Sequence, residues 1–204
     1  RRYNAAKDFD DKKITTSEDL FQQLQEVLDS DIRRWIESEG AYSLIVGEKV
    51  YRGKRNEYEK LIQRTIKAQV DASLSKRGFK VDFIREPELL DGKKVDVWVK
   101  YGFVGPIVIE VKLTSNTDLK AKDLTKSISY SSMSRYVEGF EATHGIFLVI
   151  DNTSSKNLPN IKETYQKIPR VSVLSFDCNK TGKQKRKVRT STKRRVVKKR
   201  KLSK

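Results

Sequence analysis

Cysteine and histidine are almost missing from this chain: Cys178 and His144 stand alone among 204 residues. One cysteine cannot close a disulfide within the chain, and a reducing interior is the expectation that follows. One cysteine and one histidine also cannot supply a zinc site of Cys and His ligands from a single chain. Long apolar runs are scarce too. The longest, "IFLVI" at 146–150, falls far short of a bilayer span, so no membrane partner is expected. No signal-peptide pattern is visible, and an intracellular protein is expected, cytoplasmic in a bacterium or phage and nuclear in a eukaryote. The stretch begins at Arg1 rather than methionine, so membership of a larger chain or complex is one expected state of assembly, and a homodimer another.

Acidic residues are missing from one segment only. Residues 180–204 hold 14 of the 44 Lys and Arg and no Asp or Glu, which leaves 30 basic against 27 acidic residues in 1–179. The net charge of +17 is therefore a property of the tail, and the body is close to neutral. The tail "KQKRKVRTSTKRRVVKKRKLSK" has no periodic apolar residues and is expected to be disordered when free. Unfolded Lys and Arg neutralise phosphates without sequence preference. Nucleic acid is thus the expected partner, with Lys185, Arg186, Lys187, Arg189, Lys193, Arg194, Arg195, Lys198, Lys199, Arg200 and Lys201 as its contacts. The same clusters resemble nuclear-import signals, and a merely solubilising tail is the bland alternative.

The chain divides into a helical extension (1–50), a domain (51–179) and the basic tail (180–204). From Ser17 the spacing predicts helix: Leu20, Phe21, Leu24, Val27, Leu28, Ile32, Trp35 and Ile36 form one stripe, with Ser17 as N-cap. Asp29 to Asp31 is a candidate break and Gly40 the stop. "AYSLIVGEKVYRG" reads as a short hairpin. A second helix is expected from about Lys54 to Lys76, its stripe Ile62, Ile66, Val70 and Leu74, with Glu59 on that line one turn earlier.

Strands follow. "FKVDFI" is the first. "KKVDVWVKY" alternates, which predicts Val95, Val97 and Val99 on one face and Asp96, Trp98 and Lys100 on the other. "GPIVIEVKLTS" is a third strand, with Glu110 and Lys112 sharing a face while Ile109, Val111 and Leu113 take the other. A helix over about Leu119 to Phe140, the buried strand "GIFLVI", a short helix near Ile161 to Lys167 and the strand "VSVLSF" complete the order. Hairpin-spaced strands followed by helix-separated ones imply an α/β protein with a mixed sheet and helices on both faces.

Opposite charges on one face of a strand this apolar need a reason. If the second and third strands pair, Asp96 can approach Glu110 across the ladder. Two carboxylates held close repel unless a cation lies between them, and a hard divalent ion fits oxygen ligands. Lys112 beside them could position a water or stabilise a crowded phosphate. A solvated sheet face carrying Glu-x-Lys is the ordinary alternative, and Glu59 could simply favour a helix dipole. His144 is expected to cap or hydrogen-bond, not to catalyse. Trp98, Tyr130, Arg135 and Tyr136 could face substrate, with helix-on-sheet packing an equal account of the tyrosines.

Asp96 on one strand, then "Glu110-Val111-Lys112" on the next, resembles the PD-(D/E)XK nuclease superfamily of restriction enzymes and junction resolvases. "YEKLI" around Glu59 resembles the "(F/Y)Exx(I/V)" opening of methylation-dependent restriction endonucleases, with Glu57 as the other candidate. Val95 stands where the family has proline, and "TKSISYSSMSRY" offers Lys126 or Ser127 where many members carry glutamine. The resemblance implies a restriction-endonuclease-like αβββαβ core and a Mg²⁺-dependent endonuclease acting on DNA, with Mn²⁺ as a substitute. It implies that Asp96, Glu110 and the carbonyl of Val111 bind metal, that Lys112 activates or orients water, and that Glu59 assists. Lys126 and Arg135 join the tail as nucleic-acid contacts. The alternative is a nuclease scaffold without cleavage that binds nucleic acid through its tail.

Overall fold

In the computed structural model of the chain the described residues are 13–38, 55–89, 92 and 94–178, those at 55–58 as helix backbone only. The hairpin expected around 41–53 and the basic tail lie outside them.

Thr16 opens helix α1 (Ser17–Val27). Its hydroxyl accepts the Asp19 N–H at 3.1 Å while the Asp19 carboxylate accepts the Thr16 N–H at 2.8 Å, a reciprocal capping box. The cap is one residue earlier than the expected Ser17, whose hydroxyl instead accepts the N–H of Gly105 at 3.1 Å. At Asp29 to Asp31 the helix does not break. It widens by one residue per turn over Leu28–Ile32 and runs on into α2 (Arg33–Glu37). The stripe stays continuous through the wide turn: Leu20, Leu24, Val27, Leu28, Ile32 and Ile36 are all buried.

Helix α3 (Arg55–Lys76) buries Ile62, Ile66, Val70 and Leu74 as its spacing predicts. It ends at Gly78, whose φ of +83° only glycine adopts without strain, and the Phe79 N–H folds back onto the Leu74 carbonyl. The five strands β1 (Asp82–Arg85), β2 (Val97–Tyr101), β3 (Val104–Leu113), β4 (His144–Asp151) and β5 (Val171–Asp177) form one sheet in chain order. β1–β2 and β2–β3 pair antiparallel, while β3–β4 and β4–β5 pair parallel. The parallel pairs are the ones joined through helices, as a crossover requires.

Two cores sandwich the sheet. On one face Val97, Val99, Ile107, Ile109, Val111 and Ile146 meet the buried stripes of α1, α2 and α3. On the other, Val108, Phe147 and Val149 meet α4 (Ile128–Gly139) and α5 (Leu158–Tyr165). β4 is covered on both sides and buried from Gly145 to Asp151. The first helical segment therefore shares its core with the strands. Polar ties add to this: Gln25 Nε2 donates to Ser172 Oγ at 2.7 Å, and the Asp177 N–H donates to Glu37 Oε1 at 3.0 Å, so α1 and α2 also hold β5.

Two expectations change. The helix expected from Leu119 is replaced at its start by single tight turns at Asp118–Lys120 and Leu124–Lys126, and α4 begins only at Ile128. Asp123 accepts the Thr125 N–H at 3.1 Å and Ser127 accepts the Tyr130 N–H at 3.2 Å; each short polar side chain takes a backbone donor and restarts the chain direction. The alternation read through "KKVDVWVKY" also fails at its start. Val97 and Val99 face the first core, but Val95 packs in the second, because the backbone bends at Asp96 and the strand begins only at Val97.

Candidate active site

β2 stops short of its neighbour. Its last register pair toward that end is Val97 with Ile109, and β3 continues through Glu110 to Leu113 with no β2 residue beside it. An N–H left on that open stretch must find another acceptor. The Val111 N–H finds Asp96 Oδ2 at 2.8 Å. A strand residue turns its N–H and C=O to the same neighbour, so the Val111 carbonyl faces this notch as well. The bend that displaces Val95 is the same feature seen from the other side: Asp96 leaves the pleat so that its carboxylate can substitute for a missing strand.

Around this point the side chains converge. The Asp96 N–H donates to Glu110 Oε2 at 3.3 Å, which ties the two acids through the backbone of one. Lys112 Nζ lies 2.7 Å from Glu110 Oε1 and 3.6 Å from Glu59 Oε1. From α3, Gln63 Nε2 donates to Asp96 Oδ1 at 2.8 Å, and Asn116, just past β3, donates to Glu59 Oε2 at 3.4 Å. On the α4 side, Tyr136 Oη donates to the Lys94 carbonyl at 2.6 Å and pins the segment leading to Asp96. Asp96 is 9% and Glu110 3% exposed. A cleft of about 370 Å³ opens over them, lined by Glu59, Lys60, Gln63, Glu86, Lys94, Asp96, Lys112 and Asn116. Glu110 lies beneath it, paired with Lys112.

The electrostatics follow from that crowding. Burial, and then the charge of Glu110, raise the Asp96 carboxyl well above the ordinary carboxylate range, against the pull of Lys112 and the Val111 N–H. Burial alone would discharge Lys112, but Glu110, Asp96 and Glu59 outweigh it and hold the ammonium above its usual range. Burial, with Glu110 adding to it, pushes the Tyr136 phenol up to about 12.

Could the cluster hold a hard metal ion? Among the described residues no group of three or more His, Cys, Asp and Glu forms a metal-binding set. Magnesium needs fewer, one or two carboxylates with water completing its shell. Within the bonded cluster Asp96, Glu110 and Glu59 stand against the ammonium of Lys112, with Lys60, Lys94 and Glu86 also on the cleft wall, and Glu59 Oε1 is buried without a hydrogen-bond partner among the described residues. The donors are all oxygen. Asp96, Glu110, the Val111 carbonyl and Glu59 are thus the oxygen groups here that a hard divalent cation would have available.

Of the residues singled out from the sequence, Glu59, Asp96, Glu110, Val111 and Lys112 come together; the side chain of Glu57 lies outside the described residues. Lys126 and Arg135 do not join them. Lys126 is exposed and pairs with Asp123 at 3.4 Å, and Arg135 lies exposed on α4, away from the residues that line the cleft. Trp98 packs partly buried against the second core. Tyr130 meets Tyr165 edge-on, and His144 stacks on Phe21 with its Nε2 3.1 Å from Glu18. Gln63 and Asn116 belong to none of the sequence motifs, yet both join the cluster. Gln63 had a signal: it follows Glu59 by one helical turn, so whatever brings one to the sheet brings the other.

Fold and site together define an α/β protein with a five-stranded mixed sheet flanked by helices and a buried acid–lysine cluster where β2 falls short of β3. A family model described as a domain of unknown function, DUF8371, matches residues 20–154. The chain belongs to that family. The matched span holds every residue of the cleft and stops before α5 and β5. No curated protein and no solved structure matches the chain. Among the described residues, no helix is long and apolar enough to cross a membrane.

Proposed function

We propose that this chain is a metal-dependent endonuclease that hydrolyses DNA phosphodiester bonds on a restriction-endonuclease-like αβββαβ core. The reading rests on one observation above the others: Asp96, at the bend just before β2, meets Glu110 and Lys112 of β3 in a single hydrogen-bonded cluster under a polar cleft. The order of α3, β1, β2, β3, α4 and β4 agrees with that core.

In this reading Asp96 and Glu110 would hold Mg²⁺, or Mn²⁺ in its place, with the Val111 carbonyl as a further oxygen. The ion, when bound, polarises the phosphate and lowers the pKa of a water. Lys112 keeps its proton at neutral pH, so its part is to orient that water and to stabilise charge on the phosphate oxygens as the bond to phosphorus breaks. Glu59 would assist from α3, its Oε1 having no hydrogen-bond partner among the described residues. The basic tail supplies affinity without sequence preference.

The test is incubation of the full chain with Mg²⁺ or Mn²⁺ on linear, circular, branched and single-stranded DNA, and on RNA, with EDTA controls. Cleavage of DNA that EDTA abolishes is expected. No cleavage of any substrate with either ion would remove the enzyme reading.

One observation favours a second reading, a scaffold that binds nucleic acid without cutting it. Both Asp96 oxygens already accept a hydrogen bond, from Gln63 and from Val111, as a purely structural carboxylate would. That protein would bind DNA in EDTA as well as in Mg²⁺.

A further inference from the structure

Gln63 is 8% exposed, sits in a helix otherwise packed by aliphatic residues, and spends its amide on a single carboxylate. A buried glutamine must satisfy its donors, and here one of them is 2.8 Å from Asp96 Oδ1. Asp96 is thereby held at both oxygens by two different elements, Oδ1 by α3 and Oδ2 by the Val111 N–H of β3. A carboxylate turns freely about its last bond unless something fixes it, and these two donors fix the plane. Each carboxylate oxygen has two acceptor positions, so one on each oxygen stays open to a further partner. The donor is also neutral. A lysine or arginine at this position would fix Asp96 equally well but cancel the charge that a cation needs.

We propose that Gln63 is the positioning residue of the site: it orients the Asp96 carboxylate for a divalent ion while leaving its charge intact. The inference rests on the metal-dependent reading given above and extends it to a residue outside the acid–lysine motif. Groups that hydrogen-bond a metal ligand from behind govern affinity at about the tenfold to hundredfold level when removed.

The experiment measures Mn²⁺ binding by calorimetry and by electron paramagnetic resonance on the full chain without DNA, so that it does not depend on cleavage. Four proteins are compared: the parent, Q63A, Q63M and D96N. Q63M keeps the length and buried volume of the side chain and removes only the amide, so it stays informative if Q63A fails to fold. The parent is expected to bind Mn²⁺ and D96N to lose that binding. Q63A and Q63M are expected to bind about tenfold more weakly, or worse, with an altered resonance spectrum. In cleavage at saturating DNA they should need correspondingly more metal for half-maximal rate. A parent that binds Mn²⁺ and a Q63M that matches it in affinity and spectrum would overturn the role of Gln63 alone. A parent that binds no Mn²⁺, or a D96N protein that binds it unchanged, would overturn the metal reading and the inference with it.

Discussion

Lys112 donates to Glu110 at 2.7 Å, and the two are neighbours on one face of β3 with only Val111 between them in sequence. The pair is largely buried, the lysine side chain 16% exposed and the glutamate 4%. A buried acid with its counter-ion removed is far more costly than the pair is favourable. Lys112 is therefore both a chemical group and the charge balance of the site.

Substituting it separates the two roles. K112A should lower metal-dependent cleavage by about a hundredfold or more while DNA binding, measured by filter retention, stays near the parent's. Both K112A and K112M should lose about 3–5 kcal/mol of stability in urea titrations without metal. Magnesium should restore part of that loss, since a cation then returns to the acids. Cleavage at the parental rate would remove Lys112 from the mechanism.

Asp96 gives a pH dependence of definite sign. Its folded carboxyl titrates well above the ordinary value, through burial first and the charge of Glu110 second. A raised acid stabilises the fold fully below its unfolded value, and that contribution is lost as pH rises through the folded value. D96N has nothing to lose, and Gln63 can turn its amide to present oxygen to the new amide. The melting temperature of D96N minus that of the parent, without metal, should grow from acid toward neutral pH. A difference independent of pH would place the titration elsewhere.

The tail is tested by removing residues 180–204. DNA affinity should fall steeply, and the slope of log affinity against log salt should flatten by several units, because many phosphate contacts vanish together. Metal-dependent cleavage at low salt should persist if the enzyme reading holds. If the chain only binds, nothing measurable should be left.

Much of this arrangement was legible in local pattern, and the remainder depended on contacts far apart in sequence. The stripe of α3, the apolar run of β3 and the pairing of Glu110 with Lys112 on one face all follow from periods of 3.6 and 2. The bend at Asp96 does not. It exists because a carboxylate fifteen residues before Val111 takes that residue's N–H, and no alternation of Val95, Val97 and Val99 announces it. Thr16 and Ser17 are equally good caps by composition; Asp19, three residues after Thr16, decides between them. Gln63 shares a line of α3 with Glu59, but its bond to Asp96 exists only once α3 docks on the sheet.

Packing between α4 and β4 offers a control outside the site. A Cβ at Gly145 would collide with the ends of Met133 and Val137 and press on Val171 at 3.2 Å. G145A should therefore cost about 1–3 kcal/mol through overpacking. Mn²⁺ affinity should be unchanged, since none of these residues borders the cleft.

The family segment ends at 154, yet β5 lies beyond it, bonded along β4 and tied to α1 and α2 through Ser172 and Asp177. Similarity of sequence and the unit that folds are thus different stretches of this molecule. A chain cut to the matched span would lay bare the flank of its most buried strand, an invitation to self-association through unpaired backbone. Soluble, monodisperse protein is to be sought with residues 155–178 retained.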